Sequence, residues 1–189
     1  MTARPSLPFD PIRRAAQLWE GRWGAQASPG AMAVATSIMR AQQLLLAQFD
    51  AALTGFDLTF ARYEALVLLA FSQDGRLPMS KVGQRLMVHP TSASHIVQRL
   101  QMQGFVDRIP NPADGRGTLA AITTPGRAVM EAATGSLVEL GFGLEGLTEP
   151  ELAELFRLLE KLRRSAGDFS PSPSPSDPRA PQAGGPTHY

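Results

Sequence analysis

At 189 residues, 43% hydrophobic and 19% charged, the chain has the size and composition of one folded domain with appendages. No apolar run approaches the ~18–20 residues that a bilayer span needs, and "MTARPSLPFDPIRRAAQLWEGRW" lacks the apolar core of a secretory signal, so a cytoplasmic protein without a membrane partner is expected. Cysteine is absent, which excludes disulfides, thiolate metal sites and cysteine nucleophiles, and the net charge of +1 conceals an asymmetry: six basic residues against two acidic ones from Lys81 to Arg127, then four against seven from Glu131 to Arg164.

Residues 1–30 form an N-terminal extension in which prolines surround one short amphipathic piece, Ile12–Trp23, closed off by "ASPG" at 27–30. From Ala31 to Leu53, Met32, Ala35, Ile38, Met39, Leu45, Phe49 and Leu53 recur at helical spacing with no proline between them. "TGFDLT" breaks that helix. Thr59 then suits the N-cap of a helix from Phe60 to about Ser72, with Leu66, Leu69 and Ala70 facing inward. "QDGRLP" reads as a turn, and Pro78 opens a short helix through about Met87 with Met79, Val82 and Leu86 on one face. Pro90 fits the first turn of the next helix, where its missing N–H would have had no partner, and Gly104 ends that helix after Gln103. "FVDRI" and "TLAAIT" read as two strands around "PNPADGRG", a connection too long for a two-residue hairpin. Thr124 and Pro125 give the N-cap and first position of a helix to about Leu140, interrupted by "GFGLEG". Thr148 to Glu151 make a capping box, and the helix they open carries Leu152, Leu155, Phe156, Leu159 and Leu162 down one side. From residue 169 onward alternating Ser and Pro cannot build a core, so a disordered or polyproline-II tail is expected.

This order of elements is mainly α and contains a winged helix-turn-helix. On the helix from Pro90, Ala93, Ile96, Val97 and Leu100 form the inner stripe and leave Thr91, Ser92, Ser94, His95, Gln98 and Arg99 outside. Hydroxyls and an amide suit base edges, and a guanidinium suits guanine or phosphate, as a major-groove helix requires. An ordinary solvated face would carry the same residue types. The loop beside it tips the balance, since Arg116 stands between two glycines at a hairpin tip and can reach a minor groove, with Asp114 placed to hold the loop. None of the three histidines sits in a metal-ligand spacing, and no HExxH, phosphate-loop or GxSxG run occurs, so no enzyme, metal or cofactor is expected. The alternative is a winged-helix module for protein–protein contact, for which the outer face lacks aromatic anchors.

At "DGRGTLAAIT", "HPTSASHIVQRLQMQGFVDRIPNP" and "TPGRAV" the chain resembles the MarR family of transcriptional regulators, over roughly Ala31 to Asp168. The resemblance implies a homodimer on pseudo-palindromic double-stranded DNA, acting as a repressor relieved by a ligand. Its N- and C-terminal helices, residues 31–58 and 125–168, would form the dimerisation region, and residues 59–124 the winged helix-turn-helix DNA-binding domain. Asp114 and Arg116 become the wing pair, and Thr91, Ser92, Ser94, His95, Gln98 and Arg99 the groove-facing set, flanked by Lys81 and Arg85. Gly115 stands where the family often has a basic residue, so a less charged wing is expected.

The effector expectation starts from Trp19 and Trp23, which share one helix face at i, i+4. They can act as a lid, or wall a ligand pocket whose polar anchors would be Arg40, Arg62, Tyr63 and Glu64. This is similar to the urate-responsive branch of the family, which extends N-terminally and uses a tryptophan. That branch has an aspartate where this chain has Glu64, so the expected effector is a planar aromatic anion, phenolic or carboxylic, other than urate.

Overall fold

A computed structural model describes residues 7–112 and 117–170. The hairpin tip with Asp114 and Arg116, His188 and the Ser-Pro tail beyond residue 170 lie outside the described residues. The chain divides into two compact units, residues 1–51 and residues 52–189.

In the first unit, helix α1 runs Pro11–Trp23 because Asp10 caps it, its carboxylate accepting the N–H groups of Ile12 and Arg13. Gly24, at φ 80°, ends α1, and a 3-10 turn at Ala25–Ala27 follows. Helix α2 begins at Pro29, two residues ahead of the expected start, and continues to Leu53, across the boundary between the units. "ASPG" therefore closes the extension and opens α2 in the same four residues. Along α2, Val34, Met39, Leu44 and Leu46 are exposed while Phe49 and Leu53 are buried. Among the described residues, no single helix is long and apolar enough to cross a membrane.

The second unit holds a helical core on a small sheet. Thr59 caps helix α3, Phe60–Ala70, by accepting the N–H of Arg62. Strand β1, Arg76–Pro78, comes next, then helix α4, Met79–Arg85, and helix α5, Pro90–Met102. Strands β2, Val106–Pro110, and β3, Thr118–Ile122, form the wing hairpin. Helix α6 spans Thr124–Glu139 and helix α7 spans Glu149–Ser165. The sheet is antiparallel in the order β1-β3-β2, pairing Leu77 with Ala120 and Arg108 with Ala120 from the other side. Val82, Ala93, Val97, Leu100, Val106 and Ala120 meet Leu66, Leu69, Ala133 and Leu137 in the core.

Two expectations are corrected. "RLP" was expected inside a turn and is instead the edge strand β1. Three residues are too few for a period-two pattern to register, and Pro78 sits at the strand end, where an edge tolerates it. The cap of α6 is Thr123, not Thr124: Thr123 Oγ1 accepts the Gly126 N–H at 3.0 Å. That hydroxyl also donates to the Gly104 carbonyl oxygen at 2.8 Å, and the Thr123 N–H donates to the Phe105 carbonyl oxygen at 3.1 Å. Beside it Gly126 is buried, and a Cβ there would run into the Phe105 carbonyl. The expected capping box of α7 is present, Glu151 accepting both the Thr148 N–H at 2.8 Å and the Thr148 hydroxyl at 2.7 Å.

Candidate nucleic-acid interface

Helices α4 and α5 meet through a short turn in which Met87 takes the left-handed conformation at φ 54°, and the Val88 N–H closes on the Gly83 carbonyl oxygen at 3.1 Å. His89 then caps α5, its Nδ1 accepting the Thr91 N–H at 3.3 Å. The sequence pointed to Pro90 for this start. The residue directly before such a proline is the N-cap position, so His89 could have been read there as well.

The division of α5 is the one expected. Ala93, Val97 and Leu100 are buried, Ile96 is half-buried, and Thr91, Ser92, Ser94, His95, Gln98 and Arg99 are all exposed. The side chains of Ser92, His95, Gln98 and Arg99 make no hydrogen bond or ion pair with any described residue, so their donors and acceptors stand ready for an external partner. On α4 Arg85 is exposed and, among the described residues, uncommitted, and among them Lys81 reaches only the Gln84 amide at 3.4 Å.

Sequence reading missed how α5 is held. Arg108 of β2 donates from Nη2 to the Ser94 carbonyl oxygen at 3.1 Å, and no residue pattern announces a partner that is backbone. Gln103, at the C-terminal end of α5, bonds to Asp57 and Arg62. Next to the wing tip, the Asn111 N–H donates to the Gly117 carbonyl at 2.9 Å, which brings the two strands together at the base of the loop carrying Asp114 and Arg116.

The residues nominated for an effector are divided between the two units. In the first unit the Trp19 and Trp23 rings stand 4.5 Å apart between centroids, inclined by 55°, and Trp19 Nε1 donates to the Ala27 carbonyl at 2.9 Å. Arg40 pairs with Gln43 at 3.2 Å. In the second unit Arg62, Tyr63 and Glu64 follow one another on α3 and so project about 100° apart. Arg62 bonds Gln103, and buried Tyr63 shares a 3.0 Å hydrogen bond with Thr134 of α6. Glu64 is exposed, yet partial desolvation raises its carboxyl pKa. Among the described residues no group of three or more histidines, aspartates or glutamates could hold a metal ion.

Comparison with known proteins gives this geometry a context. Residues 56–117 match the model of the MarR family, the stretch from the turn before α3 to the end of the wing loop. The HTH-type transcriptional repressor IacR of Pseudomonas putida is 32% identical over 107 residues, which cover 55% of this chain and 62% of the repressor, short of two thirds of its length. The multiple antibiotic resistance protein MarR of Escherichia coli is 32% identical over 58% of this chain and 76% of its own. A MarR family transcriptional regulator from Streptomyces coelicolor, solved near atomic resolution, superposes with a TM-score of 0.70 at 55% identity, covering 75% of this chain and 98% of that one. A second Streptomyces coelicolor regulator of the family, solved in complex with DNA, gives 0.63 at 30% identity over 74% and 87%.

Proposed function

The chain belongs to the MarR family, and from that premise we propose that it is a dimeric cytoplasmic transcriptional regulator which reads a pseudo-palindromic operator with the outer face of α5. The observation that carries this reading is the polar face of Ser92, His95, Gln98 and Arg99, uncommitted among the described residues, above the buried Ala93, Val97 and Leu100. Each base edge in a major groove needs a donor or acceptor that the protein has not already used. Lys81, Arg85 and Thr91 flank that face and suit phosphates, and Asp114 with Arg116 would serve the adjacent minor groove. A footprint of the purified protein on captured genomic fragments tests it. Two half-sites about 10 bp apart are expected, with affinity falling steeply as salt rises. A single asymmetric half-site bound without salt dependence overturns it.

The dimer reading draws on α7. Leu155, Phe156, Leu158 and Leu162 are all exposed in the single chain, and no residue of α7 is buried. Such an apolar stripe on a charged helix fits burial against a second copy.

Repression relieved by a small aromatic anion completes the proposal. Its support is the Trp19–Trp23 pair, which offers a planar ligand stacking surface, and the exposure of Trp23. Relief requires tighter binding to the form that does not hold DNA, since equal affinity for both forms shifts nothing. Phenolic and carboxylic aromatics titrated against the DNA complex should quench tryptophan fluorescence and release DNA together. Release that survives Trp19→Phe with Trp23→Phe places the ligand elsewhere.

A further inference from the structure

Gln103 closes α5 and joins three elements through one side chain. Its amide nitrogen donates to the Asp57 backbone carbonyl at 2.7 Å and to Asp57 Oδ2 at 2.9 Å. Its amide oxygen accepts from Arg62 Nη1 at 3.1 Å. Arg62 is steadied in turn by the α3 cap, its Nε lying 3.4 Å from Thr59 Oγ1. Only this orientation of the amide matches donor to acceptor on both sides, because the reverse would set an NH₂ against a guanidinium. Asp57 contributes both oxygens from a left-handed residue, at φ 53°, just ahead of α3.

The inner stripe of α5 sets its tilt only to within the scatter that ridges-into-grooves packing leaves, about 15–20°. Hydrogen bonds narrow that range, because they weaken steeply outside a narrow range of distance and angle. Among the described residues, α5 receives such side-chain bonds from other elements at two places: Arg108 on Ser94, and Asp57 with Arg62 on Gln103. Those places are nine residues apart, about 14 Å along the helix. A helix pinned near its groove-facing end and again at its far end has one inclination. Released by Asp57 and Arg62, its far end keeps, among the described residues, only the Thr123 bond to the Gly104 carbonyl, one residue beyond Gln103, and Gln98 and Arg99, between the pins, gain freedom to shift.

We propose that Gln103 is a positioning residue for operator reading, setting the tilt at which α5 meets the groove; this rests on the reading of α5 as the groove-facing helix. Gln103 touches no base. Its effect falls on discrimination between operator and random DNA, because phosphate contacts tolerate a shift that bidentate base contacts do not.

The experiment measures the ratio of operator to random-DNA affinity at fixed salt, well below the melting temperature, for wild type, Gln103→Met, Gln103→Glu, and Gln103→Glu combined with Asp57→Asn. Gln103→Met should lower the ratio about tenfold, the worth of one or two lost hydrogen bonds, with random-DNA affinity unchanged. Gln103→Glu keeps the Arg62 bond but sets a carboxylate against that of Asp57, so the ratio falls again. Adding Asp57→Asn supplies an amide donor to that carboxylate and should restore part of the ratio, since the Asp57 backbone carbonyl still lacks its donor. A residue with only a stability role would change the melting temperature and leave the ratio alone. If wild type discriminates and Gln103→Met discriminates equally, or if the paired variant recovers nothing, the positioning role is wrong. If wild type shows no operator preference, the groove-facing reading of α5 fails and this proposal falls with it.

Discussion

Arg108 on the first wing strand reaches the backbone carbonyl of Ser94, in the N-terminal half of α5, at 3.1 Å. Wing and groove-facing helix are thereby one construction, even though the loop between the wing strands carries its own nominated contacts. A guanidinium spans this gap with a directed N–H, which a lysine ammonium cannot reproduce with the same planar geometry. Arg108→Lys, which keeps the charge, should therefore weaken operator binding nearly as much as Arg108→Met. A Lys variant with wild-type affinity would show that charge alone matters there.

Contacts within the interface should separate by their salt dependence. Arg85→Ala should lower the salt slope by about one unit and weaken binding to all sequences alike, as a lost phosphate contact does. Gln98→Ala and His95→Ala should instead relax preference at particular base pairs, at about 1–3 kcal/mol each. Arg116→Ala should weaken binding across many sequences. Unchanged operator affinity in that last variant would remove the wing from the reading.

Gly126 is held to its identity by crowding alone, for its φ lies outside the left-handed region. The first turn of α6 lies on the Phe105 carbonyl so closely that a methyl group has no room. Gly126→Ala should cost about 1–3 kcal/mol or more as the turn is forced away, read as a lowered denaturation midpoint. Gly135, with open space around its missing Cβ and an exposed place on the same helix, makes the control: Gly135→Ala should stabilise by roughly 0.5–1 kcal/mol.

Leu155→Asp with Leu159→Asp tests the apolar stripe of α7. Leu155 is exposed in the single chain and Leu159 half-buried, so charges there should leave the second unit's core intact and block association. Monomers by light scattering, with retained helical circular dichroism and no operator binding, are expected. A folded double variant that remains dimeric would place the subunit contact elsewhere.

Glu151 gives a pH signature for the start of α7. The Thr148 N–H, then the Thr148 hydroxyl, hold its carboxyl below the ordinary range. With the folded pKa depressed, the stabilisation is complete above the unfolded value of 4.5 and is lost as pH falls through the folded one. The wild-type advantage over Glu151→Gln should accordingly shrink on acidification below about pH 4.5, followed by thermal melts at a series of pH values. An advantage constant down to the lowest pH would detach the capping box from this carboxylate.

The elements and the two faces of α5 were legible because each had a redundant local signal. Pro90 and Gly104 mark the ends, and Ala93, Val97 and Leu100 mark the period between them. The β1 strand was not, because Arg76–Pro78 is defined by its pairing with β3 and not by its own residues. Arg108, Gln103 and Asp57 escaped notice for a related reason. Their bonds join residues far apart in sequence, two of them to backbone carbonyls that every residue possesses.

Thr123 joins pieces that the chain separates. Its hydroxyl connects Gly104, just past α5, to Gly126 in the first turn of α6, while its N–H grips Phe105 at the root of the wing. Three short bonds on one threonine act as a rivet through the end of one helix, the start of a strand and the start of another helix. The base of α6 therefore cannot be displaced without dragging the tail of α5 along with it. Any force applied to α6, from whatever source, arrives at α5 through this joint, with little slack to absorb it.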